Sequence, residues 1–302
     1  MRESAAAHAA AVSHAADAPS GLRPVLTGPP RPGRVLAAFP HAVYVTVGAG
    51  ADAAVVAVVS ADGIQLPNAL VVRTPAAGGP FGAVRAGAPA VVGDGRIVVG
   101  LVLAVTVGRW SDRRVLLPTT DRATLLAGAH RLRAAMDRAC VRDPATEARA
   151  AEVARWVAVG DRGRAATAAG TLLGWGEGLT PTGDDVLAGV LAAGRAFASA
   201  VGDPRTVATL AALSADVDRL APRRTNALSA SLLRHAGRGE MARPAASVTR
   251  AVAAGREHPA AVADLLRVGH RSGADLALGI VTAAGLVASS AIRPPSAHGG
   301  IR

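Results

Sequence analysis

The chain changes texture at Pro118, and that change limits the folds open to it more than any other feature. From Val35 to Leu117 it is Val-rich, in short runs broken by Gly, Pro, Asp and Asn. Tyr44-Val45-Thr46-Val47, Val55 to Val59, Leu70-Val71-Val72, Ala90-Val91-Val92 and Ile97 to Val107 read as strands. Ala61-Asp62-Gly63 and Gly93-Asp94-Gly95 read as turns between them. Even spacing without intervening helical periods predicts a small antiparallel sheet or barrel. Beyond Pro118 the chain turns to Ala, Leu and Arg at helical spacing. The periodicity predicts helices over 121–142, 147–159, 182–200, 204–220, 225–236, 245–254, 259–266 and 273–289. The expected class is α+β: a disordered Ala/Pro-rich tail over 1–33, a small antiparallel β domain over 34–118 and a larger all-helical domain over 119–302. The tail is set off by the breaker cluster Gly28-Pro29-Pro30-Arg31-Pro32-Gly33.

At 50% hydrophobic and 18% charged the chain can bury a core, so disorder throughout is excluded. Aromatics are only 2% and there are 34 glycines, so that core must be built from Ala, Val and Leu with backbones in close approach. The net charge of +11 comes from 33 basic residues, all of them Arg. They are spread along the chain without the aromatic platforms of single-strand binders, which argues against nucleic acid as a partner. The absence of Lys removes the P-loop, Schiff-base and Lys general-base chemistries. Cys140 stands alone, so no intrachain disulfide or Cys-based zinc site is possible; it reads as a small buried apolar side chain in a reducing, cytoplasmic setting. The N-terminal stretch carries Glu3 and Asp17 and lacks an apolar h-region, so no signal peptide is expected. The apolar run Leu276 to Ile292 is short and diluted by Gly, Thr and Ser, and reads as a buried helix with no membrane partner.

Chemistry concentrates in Gly174-Trp175-Gly176-Glu177-Gly178-Leu179-Thr180-Pro181-Thr182-Gly183-Asp184-Asp185, directly before an apolar helix. Alternating glycines let the backbone approach a ligand, and a helix start offers free N–H groups and a positive dipole end, the physics of an anion site. The two carboxylates oppose that reading unless an Arg or a cation intervenes. Adjacent helical residues diverge by about 100°, so the acids are expected to differ in role. Asp185 is read as a cap and site wall, and Asp184 as the free carboxylate.

A second helix start repeats the first. Ser272-Gly273-Ala274-Asp275 followed by Gly279 matches Thr182-Gly183-Asp184-Asp185 followed by Gly189, as hydroxyl, Gly, any residue, Asp, and a Gly one turn on. This predicts two closely packed helices whose N-termini converge, with Asp275 as cap and wall like Asp185. Between them, Arg223-Arg224-Thr225-Asn226 precedes a helix carrying Ser229; Thr225 or Asn226 would cap it, and an Arg could hold a carboxylate or phosphate bidentately. His270 is the His best placed for acid–base work, and Trp175 is a candidate pocket wall.

The string Gly176 to Asp185, with Thr225, Ser229, Gly239-Glu240 and Gly269-His270-Arg271-Ser272-Gly273-Ala274-Asp275, resembles a bacterial family with the hallmark GxGLTP[ST]GDD. Some members of that family are assigned as the AllH subunit of oxamate carbamoyltransferase. Leu66-Pro67-Asn68-Ala69 and Arg109-Trp110 are also similar, which extends the resemblance over about residues 35 to 292. It implies phosphate-dependent cleavage of oxalurate to oxamate and carbamoyl phosphate, in purine and allantoin degradation, by an assembly with two other subunits. The Ser-Thr-Arg-Thr phosphate motif of ordinary carbamoyltransferases is absent. The candidate site residues are Asp184, Asp185 and His270 for catalysis. Gly176, Gly178, Thr180, Thr182, Gly183, Arg223, Thr225, Ser229, Ser272 and Asp275 are assigned to a small anionic substrate. No cofactor is expected; Mg²⁺ between acid and substrate is the alternative to an Arg salt-bridged to an Asp. Two other functions stay open: a non-catalytic partner subunit, and a metal hydrolase or lyase using Asp184, Asp185 and Asp275.

Overall fold

A computed structural model describes residues 12–50, 53–139 and 143–290. Its first part is a closed barrel of eight strands: β1 (Val12–Pro19), β2 (Arg31–Phe39), β3 (Ala42–Val47), β4 (Ala54–Val59), β5 (Ala69–Val72), β6 (Pro89–Gly93), β7 (Arg96–Val99) and β8 (Leu103–Ser111). The order around the barrel is β1-β5-β4-β3-β2-β6-β7-β8. A single-turn helix α1 (Arg23–Leu26) joins β1 to β2.

Two expectations are corrected here. The sheet is mixed rather than antiparallel: β4 runs parallel to β5 and β1 runs parallel to β8. Parallel neighbours need a crossover rather than a tight turn. One is made by the segment from Ser60 to Asn68, and the other by the whole of the barrel chain between β1 and β8. The second correction concerns the tail. Residues 12–33 are barrel: β1 is hydrogen-bonded on both sides, and Ala16, Ala18, Leu22 and Leu26 are buried in the core. Arg31 to Gly33, part of the breaker cluster, begin β2. Gly33 is needed there, because a Cβ would lie 2.7 Å from the Thr46 carbonyl oxygen on β3. Residues 1–11 of the expected tail, Cys140, the end of the helix expected over 121–142, and 291–292 of the apolar run lie outside the described residues.

The run expected as one strand from Ile97 to Val107 is a hairpin, β7 and β8, turned at Gly100 with φ of 49°. Every Val of β4 is buried, because its inner face packs in the barrel while Ala57 and Val59 pack outside with Tyr44 and Leu66. There the Ser231 hydroxyl donates to the Val55 carbonyl at 3.2 Å, joining barrel to helices.

The helices are α2 (Arg122–Ala139), α3 (Pro144–Val159), α4 (Arg162–Leu172), α5 (Thr182–Ala200), α6 (Pro204–Arg224), α7 (Ala227–Gly237), α8 (Arg243–Ala253), α9 (Pro259–Leu266) and α10 (Ser272–Ser289). Asp143, Asp161, Asp203 and Asn226 each cap a helix by accepting a backbone N–H. The core is the α5–α10 pair with the other helices around it. Gly189 and Gly279 face each other across that pair: a Cβ on Gly189 would lie 2.9 Å from the Gly279 Cα, and one on Gly279 would lie 2.8 Å from the Gly189 Cα. By length and hydropathy α10 could cross a membrane. In this fold its Ala277, Ile280, Ala283, Ala284 and Val287 are fully buried among the other helices.

Candidate functional site

The two helix starts are built alike. In each, a helix (α4 or α9) ends in a loop containing a positive-φ glycine, Gly174 or Gly269, and the next helix begins with hydroxyl-Gly. Gly183 N–H donates to the Trp175 carbonyl at 2.8 Å, and Gly273 N–H donates to the Val268 carbonyl at 2.9 Å. These N–H groups are therefore occupied, which weakens the expected anion cradle.

The acids cross between the halves. Asp185 of α5 accepts from Thr180 at 2.9 Å and is hydrogen-bonded by the Ser272 hydroxyl of α10, while Asp275 of α10 is hydrogen-bonded by the Thr182 hydroxyl of α5. The Thr180 and Ser272 hydroxyls stand 2.8 Å apart. Burial raises both carboxyls. Asp185 is pushed up to about 7, chiefly by desolvation, with the nearby Asp275 and Asp184 charges adding to the rise; Asp275 is raised by desolvation and opposed by its hydrogen bond and by Arg271.

Both acids open onto a cavity of about 590 Å³ between barrel and helices. Tyr44, Ile64, Leu66 and Pro67 wall it from the barrel side, and Leu228, Leu232, Met241, Val268 and Leu276 from the helices. Gly178, Thr180, Thr182, Asp185, His270, Ser272 and Asp275 line it, so the structure brings together seven of the residues singled out in the sequence. Six others lie off the cavity lining: Asp184, Gly176, Gly183, Arg223, Thr225 and Ser229. Arg223 is exposed at the end of α6. Trp175 does not wall the cavity either. It donates to the Thr146 hydroxyl at 3.2 Å, and the Arg149 guanidinium sits 4.0 Å from its ring centre.

Of the roles expected for the acids, Asp185 and Asp275 do wall the cavity, but neither caps a helix and Asp184 is not free. Asp184 is buried, accepting from Gly174 N–H at 2.9 Å and from the Thr225 hydroxyl, with Ser229 beside it. It ties the glycine loop to the start of α7 and is not free. Asp185 and Asp275 do not cap: neither α5 nor α10 has a side-chain cap, and these carboxyls turn to the opposite helix. Accordingly, Asp184→Ala is expected to cost about 1–3 kcal/mol, because it leaves a buried N–H and a hydroxyl without their acceptor. Urea melts measure this; a loss below about 0.5 kcal/mol, the level of an ordinary surface change, would contradict the anchoring role.

Sequence reasoning left two features out of its site. Arg271 lines the cavity next to His270 and acts on Asp275 through its charge. Glu240 lines it from the α7–α8 connection, and its carboxylate is 2.5 Å from His235 Nδ1, both side chains being buried. The Gly239-Glu240 pair was the available signal, but nothing in it shows that His235 folds back onto the acid. Among the described residues no three His, Cys, Asp or Glu side chains gather in metal-holding geometry.

Residues 172–284 match the family model described as oxamate carbamoyltransferase subunit AllH. The match runs from the end of α4 into α10, taking in both helix starts and the α6–α8 segment between them; the barrel, with Leu66 to Ala69 and Arg109-Trp110, lies outside it. No solved structure matches the chain.

Proposed function

We propose that the chain is a substrate-binding subunit of an oxamate carbamoyltransferase, an assembly in which phosphate splits oxalurate into oxamate and carbamoyl phosphate. The observation that carries this reading is the family match over 172–284, which spans both halves of the crossed Asp–hydroxyl arrangement. The chemistry of the cavity agrees with it. Oxalurate has a carboxylate at one end and ureido N–H groups at the other. Arg271 at the cavity wall suits the carboxylate, and Asp185 and Asp275 suit N–H donors, so the acids that would repel a simple anion become useful.

In the reaction a phosphate oxygen bonds to the carbamoyl carbon and the bond from that carbon to the inner nitrogen breaks. The departing nitrogen gains the proton that hydrogen phosphate loses. A carboxyl titrating at about 7 can hold and pass that proton at neutral pH, which is the role assigned to Asp185. The Thr180 and Ser272 hydroxyls orient it.

The test is calorimetric titration of the chain with oxamate, together with an assay of phosphate-dependent oxalurate cleavage by the chain alone and with the products of its neighbouring genes. Saturable oxamate binding that is lost in Arg271→Gln is the expected result. If the chain binds no oxamate yet is required for cleavage by the assembly, its role is docking rather than substrate binding.

A further inference from the structure

Arg271, Asp185 and Asp275 answer both ends of oxalurate within one part of the cavity, where the two helix starts meet. The rest of the cavity has no assigned occupant. One wall of it is laid out by α7, whose Leu228, Leu232 and Ala236 line it at helical spacing. The start of α7 is fixed beside the acids: Asn226 donates to the Leu179 carbonyl at 3.0 Å, and Thr225 donates to Asp184, the neighbour of Asp185. Glu240 follows the far end of the same helix. The eight-residue step from Leu228 to Ala236 covers about 12 Å. Along it the wall is apolar, made by these three residues with Leu66, Met241 and Leu276.

Glu240 is held in a fixed position there. It is 6% exposed and its partner His235 is 3% exposed. His235 Nδ1 lies 2.5 Å from Oε2, and because a carboxylate only accepts, that nitrogen carries the proton. Gly21 of the barrel backs the carboxylate so closely that a Cβ on it would overlap both oxygens. Oε1 accepts no hydrogen bond among the described residues, and no guanidinium forms an ion pair with Glu240 among them. The charge of Arg114 reaches it, but that guanidinium is engaged by Asp112. A buried carboxylate with one oxygen unanswered, on a cavity wall, matches a ligand that brings a donor, and a cationic donor makes the strongest contact.

We propose that the cavity also takes N-carbamoyl alkylamines, with the ureido group on Asp185 and Asp275, the methylene stem along Leu228, Leu232 and Ala236, and the terminal ammonium on Glu240. The inference rests on the ureido recognition proposed above and adds a second class of ligand to the same site. Length agrees with it. The end nitrogens of 4-aminobutylurea are about 9 Å apart when extended, and a hydrogen bond of about 3 Å at each end carries the molecule along the α7 wall. Oxalurate, about 6 Å long and polar throughout, leaves both the apolar wall and Glu240 unused.

The experiment is calorimetric titration of the intact chain with 4-aminobutylurea and with pentylurea, which has a methyl group where the other has its ammonium, at about 0.15 M salt to screen loose surface attraction. An apolar cavity without a counter-charge would favour pentylurea, because an unpaired ammonium is costly to bury. Wild type is instead expected to bind 4-aminobutylurea at least about tenfold more tightly, the worth of a charge-assisted contact. Glu240→Gln should abolish that preference while keeping its affinity for pentylurea, which also shows that the variant's cavity is intact. Pentylurea binding as well as or better than 4-aminobutylurea in wild type overturns the proposal without recourse to any variant, and so does a preference that survives in Glu240→Gln. If wild type binds neither urea, oxamate separates the two readings: oxamate binding retained sinks the second ligand class alone, whereas its absence removes the substrate-binding reading as well.

Discussion

Alanine at Gly273 or Gly183 is expected to destabilise the fold by more than about 3 kcal/mol, while alanine at Gly285, on the same helix as Gly273, is expected to stabilise. The contrast follows from what one methyl group would meet. At Gly273 a Cβ would overlap the Leu265 carbonyl, with its carbon 2.8 Å away, and at Gly183 it would overlap the Leu172 carbonyl in the same manner. Carbon atoms pack best at about 3.5–4.0 Å. Ordinary overpacking costs about 1–3 kcal/mol because side chains give way. Here the obstacle is the backbone at the end of α4 or α9, whose position is fixed by the loop that closes onto each helix start, so the cost should exceed that range. Against a total stability of about 5–15 kcal/mol this is enough to depopulate the native state on mild heating. A methyl added at Gly285 would meet nothing within 4 Å, and the residue lies in α10, so alanine there limits the unfolded chain and gains about 0.4–1 kcal/mol. Urea melts of the three variants provide the measurement. A Gly273→Ala protein within about 0.5 kcal/mol of wild type would show that the two helix starts are not held as described.

That repeat was legible in the sequence because its requirements are local. A hydroxyl, a Gly, an Asp and a second Gly recur at fixed helical phase, and α5 begins and ends at the residues expected. α4 escaped notice because Arg-Gly-Arg-Ala-Ala-Thr-Ala-Ala-Gly-Thr-Leu has too few large apolar residues to mark a stripe; its buried face is Ala165, Ala168, Ala169 and Leu172. β1 was hidden for a similar reason, since Val12 to Pro19 carries His, Asp and three Ala in place of the Val runs of its neighbours. Its parallel partner β8 lies far along the chain, beyond the reach of local pattern. Spacing did separate Asp184 from Asp185 by direction, but not which direction faced the cavity. That depended on where Gly174 and Thr225 sit relative to α5, a tertiary fact.

Asp185→Asn is expected to raise stability at neutral and alkaline pH and to suppress turnover of the proposed assembly by about 10²–10⁴-fold, the usual contribution of a positioned acid. In the folded chain this carboxyl titrates at about 7, against an ordinary value of 3.8. Between those values the native state keeps a proton that the unfolded chain has lost, so stability falls as pH rises through this window and levels off above it. The opposite sign belongs to Asp203, held down to about 2 by the Thr206 N–H and hydroxyl, Ser290 and Arg122 despite partial burial. Its contribution is present above 3.8 and is lost only as pH falls toward 2. The informative quantity is therefore the difference between variant and wild type, in which Asp203 cancels. Asparagine keeps an acceptor for the Thr180 hydroxyl and removes the buried charge. The difference should be small near pH 4 and should grow, on the order of a few kcal/mol, toward pH 7. Asp184→Asn supplies the comparison: its carboxyl is also raised by burial, yet it lies off the cavity, so it should lose little oxamate affinity. Melts across pH 4 to 8 in which wild type and Asp185→Asn run parallel would show that Asp185 is not the proton-holding group, and the proton transfer would then have to be assigned elsewhere in the cavity.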